Sequence, residues 1–138
     1  MSGSPERLTM PIGEAMWTQR AIRRFRPDPV SAADLRLILE AAVKAPSGGN
    51  QQWARFLVVT DREQLRDFGR LYHEAWWAKR RDFEGWKGPE DLPPGKSVSR
   101  SAMRLADEIG QAPAIVFVLA RKPAPANSVI TCAQNLML

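Results

Sequence analysis

The sequence predicts an α+β fold, and two observations carry that expectation. Four segments place apolar residues at three- and four-residue steps, the signature of helices that bury one face, and a capping signal opens a fifth helix. Two short runs, residues 56–59 and 114–120, are apolar on both faces and read as buried strands. Long helical segments lie between the two strands, so they do not form a hairpin. A mixed layer architecture follows, a central sheet flanked by helices in the order α, α, β, α, α, β, α. At 138 residues the chain reads as one domain over residues 1–138.

Residues 1–10 read as a loose leader. A short helix is expected over residues 13–20, with Ile12, Ala15 and Met16 on one face. Pro27-Asp28-Pro29 then breaks the chain. Ser31 is placed as an N-cap, with Asp34 in the acidic position three residues on and Val30 and Leu35 set for a hydrophobic staple. Leu35, Ile38, Leu39 and Ala42 form the stripe of the helix that follows, and Pro46 stops it near Lys44.

Residues 56–59 read as a central strand. Asp61 opens the next helix, whose stripe is Leu65, Phe68, Tyr72, Ala75 and Trp76. Residues 83–96 are rich in Gly, Pro and charge and read as a surface loop. Val98, Ala102, Leu105 and Ile109 mark another helix, ended by Ala112-Pro113. The second strand follows, and Asn127 or Ser128 is expected to cap the last helix.

Composition narrows the chemistry. Apolar residues make up 44% and charged residues 25%, the balance of a soluble globular protein. A net charge of +5 suits an anionic cofactor or nucleic acid, and by itself says nothing about fold. His73 and Cys132 are the only residues of their kinds, which excludes a histidine-rich metal site and an internal disulfide. A His–Cys nucleophile pair stays open in principle, although neither residue lies near a turn signal. No apolar run is long enough to span a bilayer, and residues 1–16 hold no continuous apolar core of a secretory signal. A cytoplasmic enzyme or binding domain, with no membrane contact, is the expectation.

Two segments concentrate chemistry. Ala45-Pro46-Ser47-Gly48-Gly49-Asn50-Gln51-Gln52 joins a helix to a strand with a proline, two glycines and three amides, which suits a flat, acceptor-rich, anionic ligand. Upstream, Thr18-Gln19-Arg20-Ala21-Ile22-Arg23-Arg24-Phe25-Arg26 carries four arginines in seven residues. Three readings of this basic stretch compete. It is a solvated face; or, with Trp76, Trp77, Lys79, Arg80 and Arg81, it tracks a nucleic-acid backbone; or it holds the phosphate and ring edge of a flavin. No helix-turn-helix, zinc-finger or RNA-recognition pattern accompanies the second reading.

Taken in order, the two segments resemble the flavin-binding segments of the nitroreductase family, an R-R-S-[IV]-R-x-F motif and an A-P-S-x-x-N-x-Q-P-W motif. The resemblance extends over essentially the whole chain. It implies that FMN lies along Gln19, Arg20, Ala21 and Arg23, with Arg23 near the N1/O2 edge, and meets Pro46, Ser47, Gly48 and Asn50 from the other side. It also implies NAD(P)H as electron donor, and a nitroaromatic, quinone or similar small-molecule acceptor. Tyr72 and Trp76 would sit in a substrate-contacting lid, and the site would form between the subunits of a homodimer. The flavin carries the chemistry, so no side chain need be catalytic; no metal and no nucleic acid is implied.

The chain departs from the family pattern at Gln19, where arginine is common, at Ala21, where serine is common, and at Trp53-Ala54, where Pro-Trp is usual. It ends on Leu136-Met137-Leu138, without a helix stop, which reads as a domain incomplete at its C-terminal end. The alternatives are a non-catalytic flavin- or nucleotide-binding remnant and a basic nucleic-acid-binding module.

Overall fold

The computed structural model describes residues 8–120 and 126–138. The helices are α1 (Ile12–Thr18), α2 (Ala32–Ala42), α3 (Arg62–Glu84), α4 (Ser97–Glu108) and α5 (Ala126–Met137), and the strands are β1 (Ala54–Val59) and β2 (Ile115–Ala120). The fold is α+β in the expected order, with short 3-10 turns at Gly48–Asn50, Pro89–Asp91 and Ile109–Gln111. The expected leader lies largely in residues 1–7, outside the described residues.

The chain divides into two units. The first gathers the described residues of 1–20, 30–58 and 116–138; the second gathers 21–29 and 59–115.

In the first unit, α2 packs on α5, and β1 pairs with β2 in a two-stranded sheet. The α2 cap forms as the sequence requires: the Ser31 hydroxyl accepts the Asp34 N–H at 3.0 Å. Leu37 and Ala42 are the buried residues of α2: Ala42, the last position of the expected stripe, is fully buried, and Leu37, outside the stripe, is nearly so. Leu35 and Leu39 instead line an open apolar groove with Phe56 and Val58. Two expectations for the strands are corrected. Among the described residues β1 has one strand neighbour, not two, and Leu57 is 52% exposed. β2 is half-buried, and its last two residues are exposed. Apolar runs report what a strand can bury, whereas the neighbours present decide what it does bury.

In the second unit, Asp61 caps α3 by accepting the N–H groups of Glu63 and Gln64 at 3.1 and 2.9 Å. The helix ends at Gly85, whose φ of 72° is the left-handed geometry that glycine adopts without strain. Leu65 is fully buried. Ala75, expected in the stripe, is exposed. α3 packs on α4 and on the 3-10 turn Ile109–Gln111, with Gly69 against Gly110. In α4 the buried position is Ala106, and Val98 is 69% exposed.

Candidate flavin site

In the first unit the helix-to-strand loop is held by α5. The Gly48 N–H donates to the Ser128 hydroxyl at 3.1 Å, and the Thr131 hydroxyl donates to the Pro46 carbonyl at 3.1 Å. Ser128 is 5% exposed. It lies inside the first turn of α5, which corrects its expected place as an N-cap; α5 starts at Ala126, ahead of both Asn127 and Ser128. A capping hydroxyl serves its own helix, whereas this one is spent eighty residues away on the loop.

The loop backbone is folded tightly. Gly49, Asn50 and Gln52 have φ of 58°, 54° and 53°. Glycine bears this without strain, but Asn50 and Gln52 carry side chains through it. The compensation is local. The Gln52 N–H donates to the Ser47 hydroxyl at 3.0 Å, and the Gln52 amide donates to Asn50 Oδ1 at 2.6 Å. The Asn50 and Gln51 N–H groups bond to the carbonyls of Ser47 and Gly48. The backbone N–H groups of Gly48, Asn50, Gln51 and Gln52 are thus occupied within the first unit, and Asn50 presents its amide N–H₂.

The same helix meets the upstream segment. The Gln19 amide donates to the Met137 carbonyl at 3.4 Å, and Gln134 donates to Gln19 Oε1 at 3.4 Å. α5 thus touches both sequence motifs, at positions six residues apart, or about 9 Å along the axis. Glutamine in place of arginine at position 19 gives this helix both a donor and an acceptor. Arg20 turns back on its own segment, donating to the carbonyls of Trp17 and Gln19 at 3.0 and 2.6 Å.

Ala21 and Arg23 belong to the second unit. Arg23 is half-buried, and its guanidinium makes one long hydrogen bond, 3.5 Å, to the Ser101 hydroxyl of α4. Tyr72 and Trp76 share one side of α3. The Tyr72 ring lies 5.9 Å from Phe68. Trp76 is engaged on two sides: the Trp77 ring packs edge-on at 4.9 Å, and the Arg80 guanidinium lies 4.9 Å over its face. Arg80 also approaches the Trp86 ring, at 5.6 Å, and pairs with Glu84. Trp76 is therefore a packed residue as much as an open contact surface.

Sequence reasoning missed Ser101, Thr131 and Gln134, and misread Ser128. The trace of the last three was present as polar residues at three-residue steps on α5, which share one helix side. That pattern reads equally as a solvated face until the loop is found upon it.

Comparison with known proteins agrees with the α+β fold. A structure of iodotyrosine deiodinase bound to FMN and 3-iodo-L-tyrosine superimposes with a TM-score of 0.71 at 23% identity, covering 91% of this chain and 66% of that one. An FMN-dependent nitroreductase of Mycobacterium smegmatis, solved with NADPH, gives 0.62 at 23% identity over 91% of this chain and 68% of its own. Likeness at that identity concerns the fold. In sequence, the chain is 43% identical to an NADH dehydrogenase of Thermus thermophilus over 48% of its length. It is 40% identical over 57 residues to a protein of Archaeoglobus fulgidus provisionally named NADH dehydrogenase/NAD(P)H nitroreductase. These matches span 36% and 33% of the two relatives. The family model described as the nitroreductase family matches residues 18–138, and the chain belongs to that family.

Proposed function

We propose that the protein is a flavin-dependent oxidoreductase that binds FMN and passes electrons from NAD(P)H to a nitroaromatic, quinone or similar acceptor. Family membership and neighbours solved with FMN support the reading. The observation that carries it is the attachment of both motifs to α5, through Ser128 and Thr131 for the loop and Gln134 for Gln19.

The residues fit the group. Arg23 is a half-buried cation with one long hydrogen bond to a neutral hydroxyl. A guanidinium carries five donors and stays charged, so it remains short of acceptors. A phosphate or the N1/O2 edge of an isoalloxazine would supply them. The Asn50 amide adds a neutral donor from a loop fixed by its own hydrogen bonds. In this reading Gln19, Arg20, Ala21, Pro46, Ser47 and Gly48 line the cofactor, and Tyr72 and Trp76 border the substrate.

FMN, when bound, supplies the hydride and electron acceptance. The chain contributes position and charge. Donors held rigidly toward a group that gains negative charge stabilise it without reorganising, which is the large electrostatic term in catalysis. The reading includes a homodimer. α1 leaves Ile12, Met16 and Trp17 exposed at 73%, 61% and 82%, and Met137 is exposed at 59%. Such an apolar surface favours a second subunit. A free, buried Cys132 accords with a reducing cytoplasm, and no helix among the described residues is long and apolar enough to cross a membrane.

The test is reconstitution with excess FMN, gel filtration, and an absorbance spectrum before and after anaerobic NADH or NADPH. Flavin bands that bleach on reduction support the enzyme. Retained flavin that neither donor reduces identifies the non-catalytic binder, and a colourless protein overturns both.

A further inference from the structure

We infer that the second unit carries an anion site, separate from the flavin residues, that takes a small di- or polyphosphate. Arg62, Arg66 and Arg70 stand at four-residue steps on α3 and line one groove of about 360 Å³ with His73, Asp107 and Gln111. Successive arginines on such a ridge lie one turn apart, roughly 6 Å along the axis. Each therefore faces a like charge at the next turn, an arrangement that disfavours the helix unless an anion relieves it.

The charges are not cancelled from within. Arg66, the middle residue, has no hydrogen-bond or ion-pair partner among the described residues; Arg62 and Arg70 stand four residues away on either side, and Glu63, three residues before it, makes no ion pair with it. Arg70 pairs with Glu74 at 3.2 Å, but both side chains are about three-fifths exposed, and such a pair is weak and readily exchanged. Asp107, the one carboxylate lining the groove, lies 3.3 Å from His73 Nε2. Arg62 is the anchor: it donates to the Ala112 carbonyl at 2.8 Å and to the Gly110 carbonyl at 3.4 Å. That fixes the 3-10 turn against α3.

The wall between these elements is backbone. A Cβ built on Gly69 would fall 2.6 Å from Gly110 Cα, so no side chain separates α3 from the turn there. The groove is therefore a firm trough with guanidinia along its length and Gln111 as a neutral donor. Three cations in a row, the first of them held in place, exceed what one phosphate can meet, and two linked phosphoryl groups reach adjacent guanidinia. Arginine is the residue suited to this, since its fork binds phosphate oxygens in pairs.

His73 reports on the site. Its Nε2 lies 3.1 Å from the Trp77 indole N–H and 3.3 Å from Asp107. His73 lines the groove, so an anion bound there changes the field at its ring. Because His73 is the only histidine, its ring resonances are read without assignment.

The experiment titrates the full chain with inorganic pyrophosphate at constant ionic strength, following the His73 ring protons by NMR. We expect a saturable shift at millimolar pyrophosphate or below, at least tenfold weaker with Arg66→Ala, partly restored with Arg66→Lys, and unchanged with Lys79→Ala, whose side chain lies outside the groove. Circular dichroism checks that each variant is folded. No saturation beyond the matched chloride control, or equal loss in the Arg66 and Lys79 variants, overturns the site. Neither result depends on flavin being bound.

Discussion

Replacing Gly69 with alanine should destabilise the protein, although alanine is the better helix former. The new Cβ would lie 2.6 Å from Gly110 Cα and 2.8 Å from Gly110 N. Carbon atoms prefer about 3.5–4.0 Å, so the turn must retreat by roughly 1 Å. Both sides of the contact are main chain, and no rotamer change relieves it. Overpacking of this kind costs about 1–3 kcal/mol. Retreat of the turn also stretches the 2.8 Å bond from Arg62 to the Ala112 carbonyl, worth about 0.5–1.5 kcal/mol. Against this, removing glycine from a helix interior returns roughly 0.5–1 kcal/mol. The clash wins, with a net loss of about 1–3 kcal/mol, or a Tm lower by roughly 4–10 °C for a chain of this size. Thermal melting by circular dichroism is the assay. Gly13→Ala is the matched control, since a Cβ there meets nothing within 4 Å and α1 gains propensity. A Gly69→Ala protein that melts at or above wild type would refute the close backbone approach of α3 and the 3-10 turn.

Other expectations follow from single contacts. Ser128→Ala removes the acceptor for the Gly48 N–H and should lower stability by about 0.5–1.5 kcal/mol while weakening FMN affinity more than Ile130→Ala, an exposed position on the same helix; urea unfolding and flavin titration read the two effects. Asp61→Ala deletes a cap serving two N–H groups and should cost about 1 kcal/mol of unfolding free energy with flavin binding unchanged. Arg23→Ala should slow flavin reduction by NADH and NADPH in stopped flow, by up to ~2.7–4 kcal/mol of barrier if its guanidinium meets the charge that develops on the ring. An unchanged rate together with unchanged flavin affinity would remove Arg23 from the site. Thr131→Val keeps the side-chain shape but cannot donate to Pro46, and should raise the FMN dissociation constant without lowering Tm by more than a few degrees.

Local chemistry was legible in the sequence because its causes are local. Ser31 and Asp61 cap their helices, and the three- and four-residue steps give the helix order. Capping and periodicity need only neighbours within a turn or two of chain. The two flavin-like segments were equally readable as motifs. Tertiary structure decided what the sequence left ambiguous. It buried Leu37 beside Ala42 of the expected stripe, left Leu57 and Val98 exposed, and brought Gly69 to Gly110 across some forty residues of chain. It also turned Ser128 from a cap into the acceptor for Gly48. A serine hydroxyl has the same chemistry in either role, and only the position of the loop on α5 determines which N–H it meets. Burial and long-range hydrogen bonds depend on which surfaces meet, and that is a property of the folded chain, not of any window within it.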